Sequence, residues 1–211
     1  MSNKQERTGL TYSALVEAMR NLREEYLKNP TAGSGRRYLA LAVDLLMPVR
    51  RTSDWSQAFI RTGKRPTAKE AFKPPRGRAL TDEDLKQGKN FICVPTDTNK
   101  PVQLIFGNFK TVGKPGVFQQ TLEEGKVLYF DLRKQMLSAL DPARLSADLR
   151  EYVTRFGLTD GDALFPGKDP RKPSGFTTSY RRALVNGGVS QGGILSHGDT
   201  RGGAVAGRAL L

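Results

Sequence analysis

Residues 38–55, YLALAVDLLMPVRRTSDW, constrain the fold more than any other stretch, because an apolar helix runs there straight into two arginines and then an aspartate. Leu39, Val43 and Leu46 recur at helical spacing, and Ala40, Leu41, Ala42 and Leu45 between them are also apolar. A helix that is apolar on every side has to be buried nearly all round, so its end lies deep in the fold. Pro48 stops it, and Arg50 and Arg51 follow where the chain has just left the core. Burying a guanidinium is costly unless it is paired. These arginines therefore need either a carboxylate such as Asp54 or an anion to hold. A helix end satisfied by Asp54 and by backbone carbonyls is the plainer of the two readings.

The charge balance narrows the kind of partner. Thirty-four Lys and Arg oppose 21 Asp and Glu in 211 residues, a formal charge of +13, and the basic residues are spread along the whole chain. Such an excess favours a polyanion, most often nucleic acid, although a ribosomal or capsid protein would show it too. The length suits one domain with a real core. The single cysteine, Cys93, sits in the apolar run 91–94 and reads as a small core residue. One cysteine and one histidine leave no disulfide framework and no thiolate or His-rich metal site, and no cofactor is expected. There is no apolar run of 18 residues and no signal-like N-terminus, so the expectation is a soluble intracellular protein without membrane contact, in the cytoplasm or nucleus of a host.

Taken in order, residues 1–10 are polar and expected to be disordered. From Thr11 a helix presents Leu15, Met19, Leu22 and Tyr26 on one face and Glu17, Arg20, Arg23, Glu24 and Glu25 on the other. Pro30 and the run 31–35 are expected to break it before the buried helix begins. Residues 61–90 hold nine Lys or Arg, four acids and three prolines, which reads as a basic surface excursion. Its Lys64, Arg65, Lys73, Arg76 and Arg78 suit a nucleic-acid backbone, the other reading being a solvated loop with no partner.

The second half of the chain adds the strands. Residues 90–95 and 101–106 are β-rich and separated by a turn-forming spacer, which predicts a hairpin. A Gly-rich basic turn with Lys114 follows, then a strand over 126–130 and a short helix over 132–140 with Leu132, Met136 and Leu140 on one face. Residues 145–156 predict an amphipathic helix with Leu149, Val153 and Phe156 inward; residues 160–166 a turn holding Leu164 and Phe165; and residues 176–185 a helix with Arg181 and Arg182 outward. The fold class is α+β: a mostly helical single domain over 11–211 with a small antiparallel three-stranded sheet.

The order of these parts carries a resemblance. An amphipathic helix, a buried helix ending in Pro-x-Arg-Arg with an acid after it, a hairpin followed by Asn-Phe-Lys-Thr, a Leu-Phe-Pro turn and a late Asp-x-Arg segment resemble, in that order, the catalytic domain of tyrosine recombinases. The likeness is greatest to the phage-integrase-like proteins of eukaryotic viruses and mobile elements, and it spans residues 11–201. It implies DNA strand cleavage and rejoining, in which two arginines and a lysine surround the scissile phosphate, a histidine assists and a tyrosine attacks. Arginine forks suit the charge of a phosphorane, and lysine can protonate the leaving oxygen.

Carried onto this chain, the resemblance makes Arg51 the first arginine, with Arg50 its rival, Lys110 the lysine, Arg201 the second arginine and His197 the histidine. His197 stands four residues before Arg201, a wider spacing than the family's. Lys64, Arg65, Lys73, Arg76, Arg78, Lys114, Arg181 and Arg182 would contact the DNA backbone. All six tyrosines precede Arg201, so the resemblance implies a domain that has lost cleavage or one that receives a tyrosine from a second copy or a full-length recombinase. The alternative is a non-catalytic basic nucleic-acid-binding or structural protein, of capsid-associated or ribosome-like kind.

Overall fold

A computed structural model of the chain describes residues 11–47, 52–73, 88–108, 117–122, 127–131, 136–167, 175–188 and 209–210. The N-terminal residues 1–10, read above as disordered, lie outside them. The chain divides into two compact units, one of residues 1–50, 125–145 and 177–211, the other of residues 51–124 and 146–176. The architecture is α+β.

The first unit is built on two helices, α1 (Tyr12–Lys28) and α2 (Ala32–Leu46). The apolar stripe read for α1 holds: Leu15, Met19, Leu22 and Tyr26 are all buried, and the Thr11 side chain caps its first turn by accepting from Ala14 N. Helix α2 starts six residues before the expected Tyr38, and the run 31–35, expected to break the chain, opens it instead. The cause is a capping box. Thr31 Oγ1 accepts from Ser34 N at 3.0 Å while Ser34 Oγ accepts from Thr31 N at 3.1 Å, so two end donors are satisfied reciprocally and the weak propensity of Gly33 and Gly35 is overridden. From Tyr38 to Val43 every residue of α2 is buried, as its all-round apolarity demanded. Tyr12 Oη donates to Leu45 O at 2.8 Å, and the Tyr26 and Tyr38 rings stack with centroids 6.4 Å apart, which closes the two helices into an antiparallel hairpin.

Strand β5 (Val127–Asp131) pairs antiparallel with β6 (Met136–Leu140) in the register Val127↔Leu140 to Asp131↔Met136, and also with the two residues of β7 (Ala209–Leu210). The short helix expected over 132–140 is thus corrected to a strand over its described part. The i, i+4 spacing of Leu132, Met136 and Leu140 fits a helix, but an even spacing fits one face of a strand equally well, and pairing of 136–140 with β5 decides between them.

The second unit carries the main sheet, four strands that lie side by side in chain order. After the single turn α3 (Thr52–Trp55), β1 (Ala58–Arg61) pairs in parallel with β2 (Asn90–Cys93); β2 pairs antiparallel with β3 (Gln103–Phe106), and β3 with β4 (Phe118–Thr121). The expected three-stranded antiparallel sheet is corrected here. The 90–106 hairpin gains a partner on each side, the sheet is mixed, and the strand at 127–131 belongs to a different sheet. The added strands are four residues each, and Phe-Gln-Gln-Thr of β4 has no apolar run to announce it.

Period-two alternation sorts the residues onto the two faces. Ala58, Ile60, Ile92, Leu104 and Phe106 are all buried, and Trp55 meets the Phe106 ring edge to face at 5.2 Å and stacks on Phe176 at 6.3 Å. Phe91, Cys93 and Ile105 form a second cluster with Ala71 of the single turn α4 (Ala68–Ala71), to which Phe59 and Val117 add. Cys93 is the buried core residue expected, and burial pushes its thiol up to about 12.

The basic excursion expected over 61–90 is corrected at both ends, since Arg61 closes β1 and Asn90 opens β2; within it Pro66, Ala71 and Phe72 are buried. Helix α5 (Pro142–Arg155) buries Leu145, Leu149 and Val153, but Tyr152 rather than Phe156 completes the inner face, because Phe156 falls in the turn that follows. Leu164 and Phe165 are fully buried in the 160–166 turn, and α6 (Phe176–Asn186) carries Arg181 and Arg182 outward, both as read from sequence.

Candidate nucleic-acid interface

Arg50, Arg51, Lys110, His197 and Arg201, the residues the resemblance assigns to the phosphate, lie outside the described residues, as do Arg76, Arg78 and Lys114. What the structure describes is the framework on either side of two of them. Strands β3 and β4 are antiparallel neighbours, so Lys110 belongs to the segment that joins them. Its place after the first hairpin becomes a place within the second.

That segment leaves the sheet at a polar corner built around Asn90. Asn90 is fully buried at the start of β2, a position where asparagine is disfavoured unless its amide is used. Its Nδ2 donates to Asp54 O and to Asn108 O, each at 3.0 Å, and its Oδ1 accepts from Asn108 N at 2.8 Å. Asn108 Nδ2 in turn donates to Gln57 Oε1 at 2.5 Å. One side chain thus fastens α3, whose Asp54 is three residues after Arg51, to the residue two before Lys110. Asp54 itself is buried.

Glycine is needed at this corner for space. A Cβ on Gly88 would fall 2.0 Å from Gly107 O, and one on Gly107 would fall 2.2 Å from Ala71 O. The backbone bonds Gly107 N to Lys89 O (3.0 Å) and Lys89 N to Ala71 O (2.7 Å) use that close approach.

The opposite end of the sheet carries an exposed cationic loop. Beyond β1, Lys64 and Arg65 are exposed; Arg65 Nη2 donates to Gln119 Oε1 at 2.6 Å, and Lys64 makes no hydrogen bond or ion pair among the described residues. Lys73 is exposed too, but lies two residues after Ala71, which bonds Lys89 at the Asn90 end. The loop is braced from the 160–166 turn by Asp160. Its Oδ1 accepts from Thr62 N (2.6 Å), Thr62 Oγ1 (3.0 Å) and Gly63 N (3.2 Å), and its Oδ2 from Arg61 Nη1 (3.3 Å). Partial burial works against its ionisation, but the Thr62 and Gly63 N–H groups, the Thr62 hydroxyl and Arg61 outweigh that and hold the carboxyl below its ordinary value. Arg61 also lies 3.5 Å from Glu70 and over the Phe91 ring at 5.3 Å.

In the first unit, Thr177, Thr178, Arg181, Arg182 and Val185 form one exposed stripe of α6 at i, i+1, i+4, i+5, i+8 spacing. Between them and the core, Tyr180 Oη donates to Asp44 Oδ2 at 3.0 Å. Desolvation and the neighbouring carboxylate raise the phenol well above its ordinary value, so Tyr180 stays protonated. Tyr12, Tyr26, Tyr38 and Tyr152 are buried.

Sequence reading missed Asn90, Asp160 and Asp44. Asn90 had a signal, an amide inside an otherwise apolar strand. Asp160 and Asp44 had none, since their partners Thr62 and Tyr180 are remote in the chain. Among the described residues no group of three or more His, Cys, Asp or Glu could hold a metal ion, and no helix is long and apolar enough to cross a membrane. No protein-family profile, no curated protein and no solved structure matches the chain.

Proposed function

We propose that this chain binds duplex DNA through its phosphate backbone and is of tyrosine-recombinase type, with strand cleavage and rejoining as the chemistry from which its site derives. The observation that carries the reading is the Asn90 corner. It ties the segment entering from Arg51 to the segment leaving toward Lys110, the two residues the resemblance assigns to one phosphate. The +13 charge supplies the long-range attraction a polyanion needs. An arginine fork would bind two non-bridging oxygens, and a lysine beside it would give a proton to the leaving oxygen.

The tyrosines favour a second reading, in which binding has outlived cleavage or the nucleophile comes from another chain. Four are buried, and Tyr180 stays protonated and donates a hydrogen bond to Asp44, so none of these five is placed as an attacking phenolate.

The test is a double-mutant cycle on duplex DNA. Affinity should fall with salt at about 0.9 log units per log unit for each phosphate contact, and the losses in Arg51→Ala and Lys110→Ala should be non-additive because both act on one phosphate. Affinity flat in salt overturns DNA binding; losses that add to within about 0.5 kcal/mol overturn the shared phosphate.

A further inference from the structure

We infer that residues 62–65 are a preformed phosphate-contact loop and that Asp160 is its positioning residue, aiming the Lys64 ammonium at a nucleic-acid backbone. The inference rests on the DNA-binding reading above and deepens it. A carboxylate paired with Arg61 and next to Lys64 and Arg65 is unfavourable for binding a polyanion, so its presence there calls for a role that offsets the lost attraction. The geometry supplies one. Four donors converge on Asp160, three of them from Thr62 and Gly63, which immediately precede Lys64. A Cβ on Gly63 would sit 3.3 Å from Asp160 Oδ2, so the loop is packed against the carboxylate as well as bonded to it.

Further bonds fix the loop from its other sides. Val94 N donates to Arg61 O at 2.7 Å and Thr96 N to Thr62 O at 3.3 Å, while Gln119 on β4 holds Arg65. Within the loop, Lys64 is exposed and makes no hydrogen bond or ion pair among the described residues, though its charge acts on the Glu70 carboxylate. The N–H groups of Thr62 and Gly63 are spent on Asp160, so they are not phosphate donors; the loop's contact is the lysine, delivered from a backbone that loses little entropy on binding.

The experiment measures the salt dependence of binding of the full chain to a random-sequence DNA duplex. Lys64→Ala should lower the slope of log K against log salt by about 0.9. Asp160→Asn and Thr62→Val, which remove one charge or one hydroxyl without emptying the site, should weaken binding and lower the slope in the same direction. In the Lys64→Ala background neither should lower the affinity or the slope further. Charge alone predicts the reverse for Asp160→Asn, since losing a negative group tightens binding to a polyanion. Tighter or unchanged binding by Asp160→Asn, with thermal unfolding still cooperative, overturns the positioning role. A parent chain that does not bind duplex DNA, or binds it without salt dependence, overturns the DNA reading itself and the inference with it.

Discussion

Asn90 and Asn108 hold each other reciprocally: Asn108 N donates to Asn90 Oδ1 at 2.8 Å, and Asn90 Nδ2 donates back to Asn108 O at 3.0 Å. The pair imitates one more rung of the β2–β3 ladder, made by a side chain in place of a backbone. Nδ2 has a second hydrogen to give, and it goes to Asp54 O. A buried amide that closes three bonds to main-chain groups fixes three segments at once, which needs a side chain that both donates and accepts.

Replacing Asn90 by Leu leaves Asp54 O, Asn108 O and Asn108 N without their partner inside the protein. The expected cost is about 2–3 kcal/mol, from the desolvation of the unpaired groups. Urea denaturation checks it, and a loss under about 0.5 kcal/mol would mean that water replaces the amide and the corner is not sealed.

Thr31→Ala removes the acceptor for Ser34 N and half of the capping box. Stability should fall by about 1 kcal/mol. Hydrogen exchange should show the loss first at residues 33–35, because the glycines there depend on the cap, whereas the apolar turns from Tyr38 onward are held by packing. Uniform exchange along α2 would contradict that division.

Tyr180→Phe deletes the bond to Asp44 and should cost about 1 kcal/mol at neutral pH. In the folded parent the phenol pKa is raised above 10.0, whereas in the unfolded chain it is ordinary. The unfolded state therefore sheds its proton first as pH rises through 10, and stability falls with pH there. The parent should lose up to about 1.4 kcal/mol per pH unit more than the Phe variant in that range. Denaturation curves of the two proteins from pH 8 to 11 decide it; parallel pH profiles would show that the phenol is not buried against Asp44 in the folded protein.

The helices were legible because each carries its own evidence. Leu15, Met19 and Leu22 in α1, and Leu145, Leu149 and Val153 in α5, repeat at the helical period and are all buried. The errors occurred where a local pattern reads two ways and a neighbouring partner decides. Ser34 turns a glycine-rich breaker into a helix start only because Thr31 stands at the right distance, and Met136 to Leu140 are a strand because β5 lies beside them. The framework of the candidate site was least legible, since Asn90 to Asp54 spans 36 residues and Thr62 to Asp160 spans 98. No local pattern encodes such pairs.

The parallel pairing of β1 with β2 has a consequence for how short a version of this protein can be. Antiparallel neighbours such as β3 and β4 can be closed by two residues, but a chain leaving the C-terminal end of β1 at Arg61 has to travel back along a four-residue strand, about 13 Å at 3.3 Å per residue, before it can enter β2 at Asn90. The basic connection over 62–89 is therefore a return path whose minimum length is set by topology. Variants that trim it have a floor below which the first strand drops out of the sheet, whereas topology sets no such floor on the antiparallel β3–β4 connection, whose length is held instead by Asn108 at the Asn90 corner.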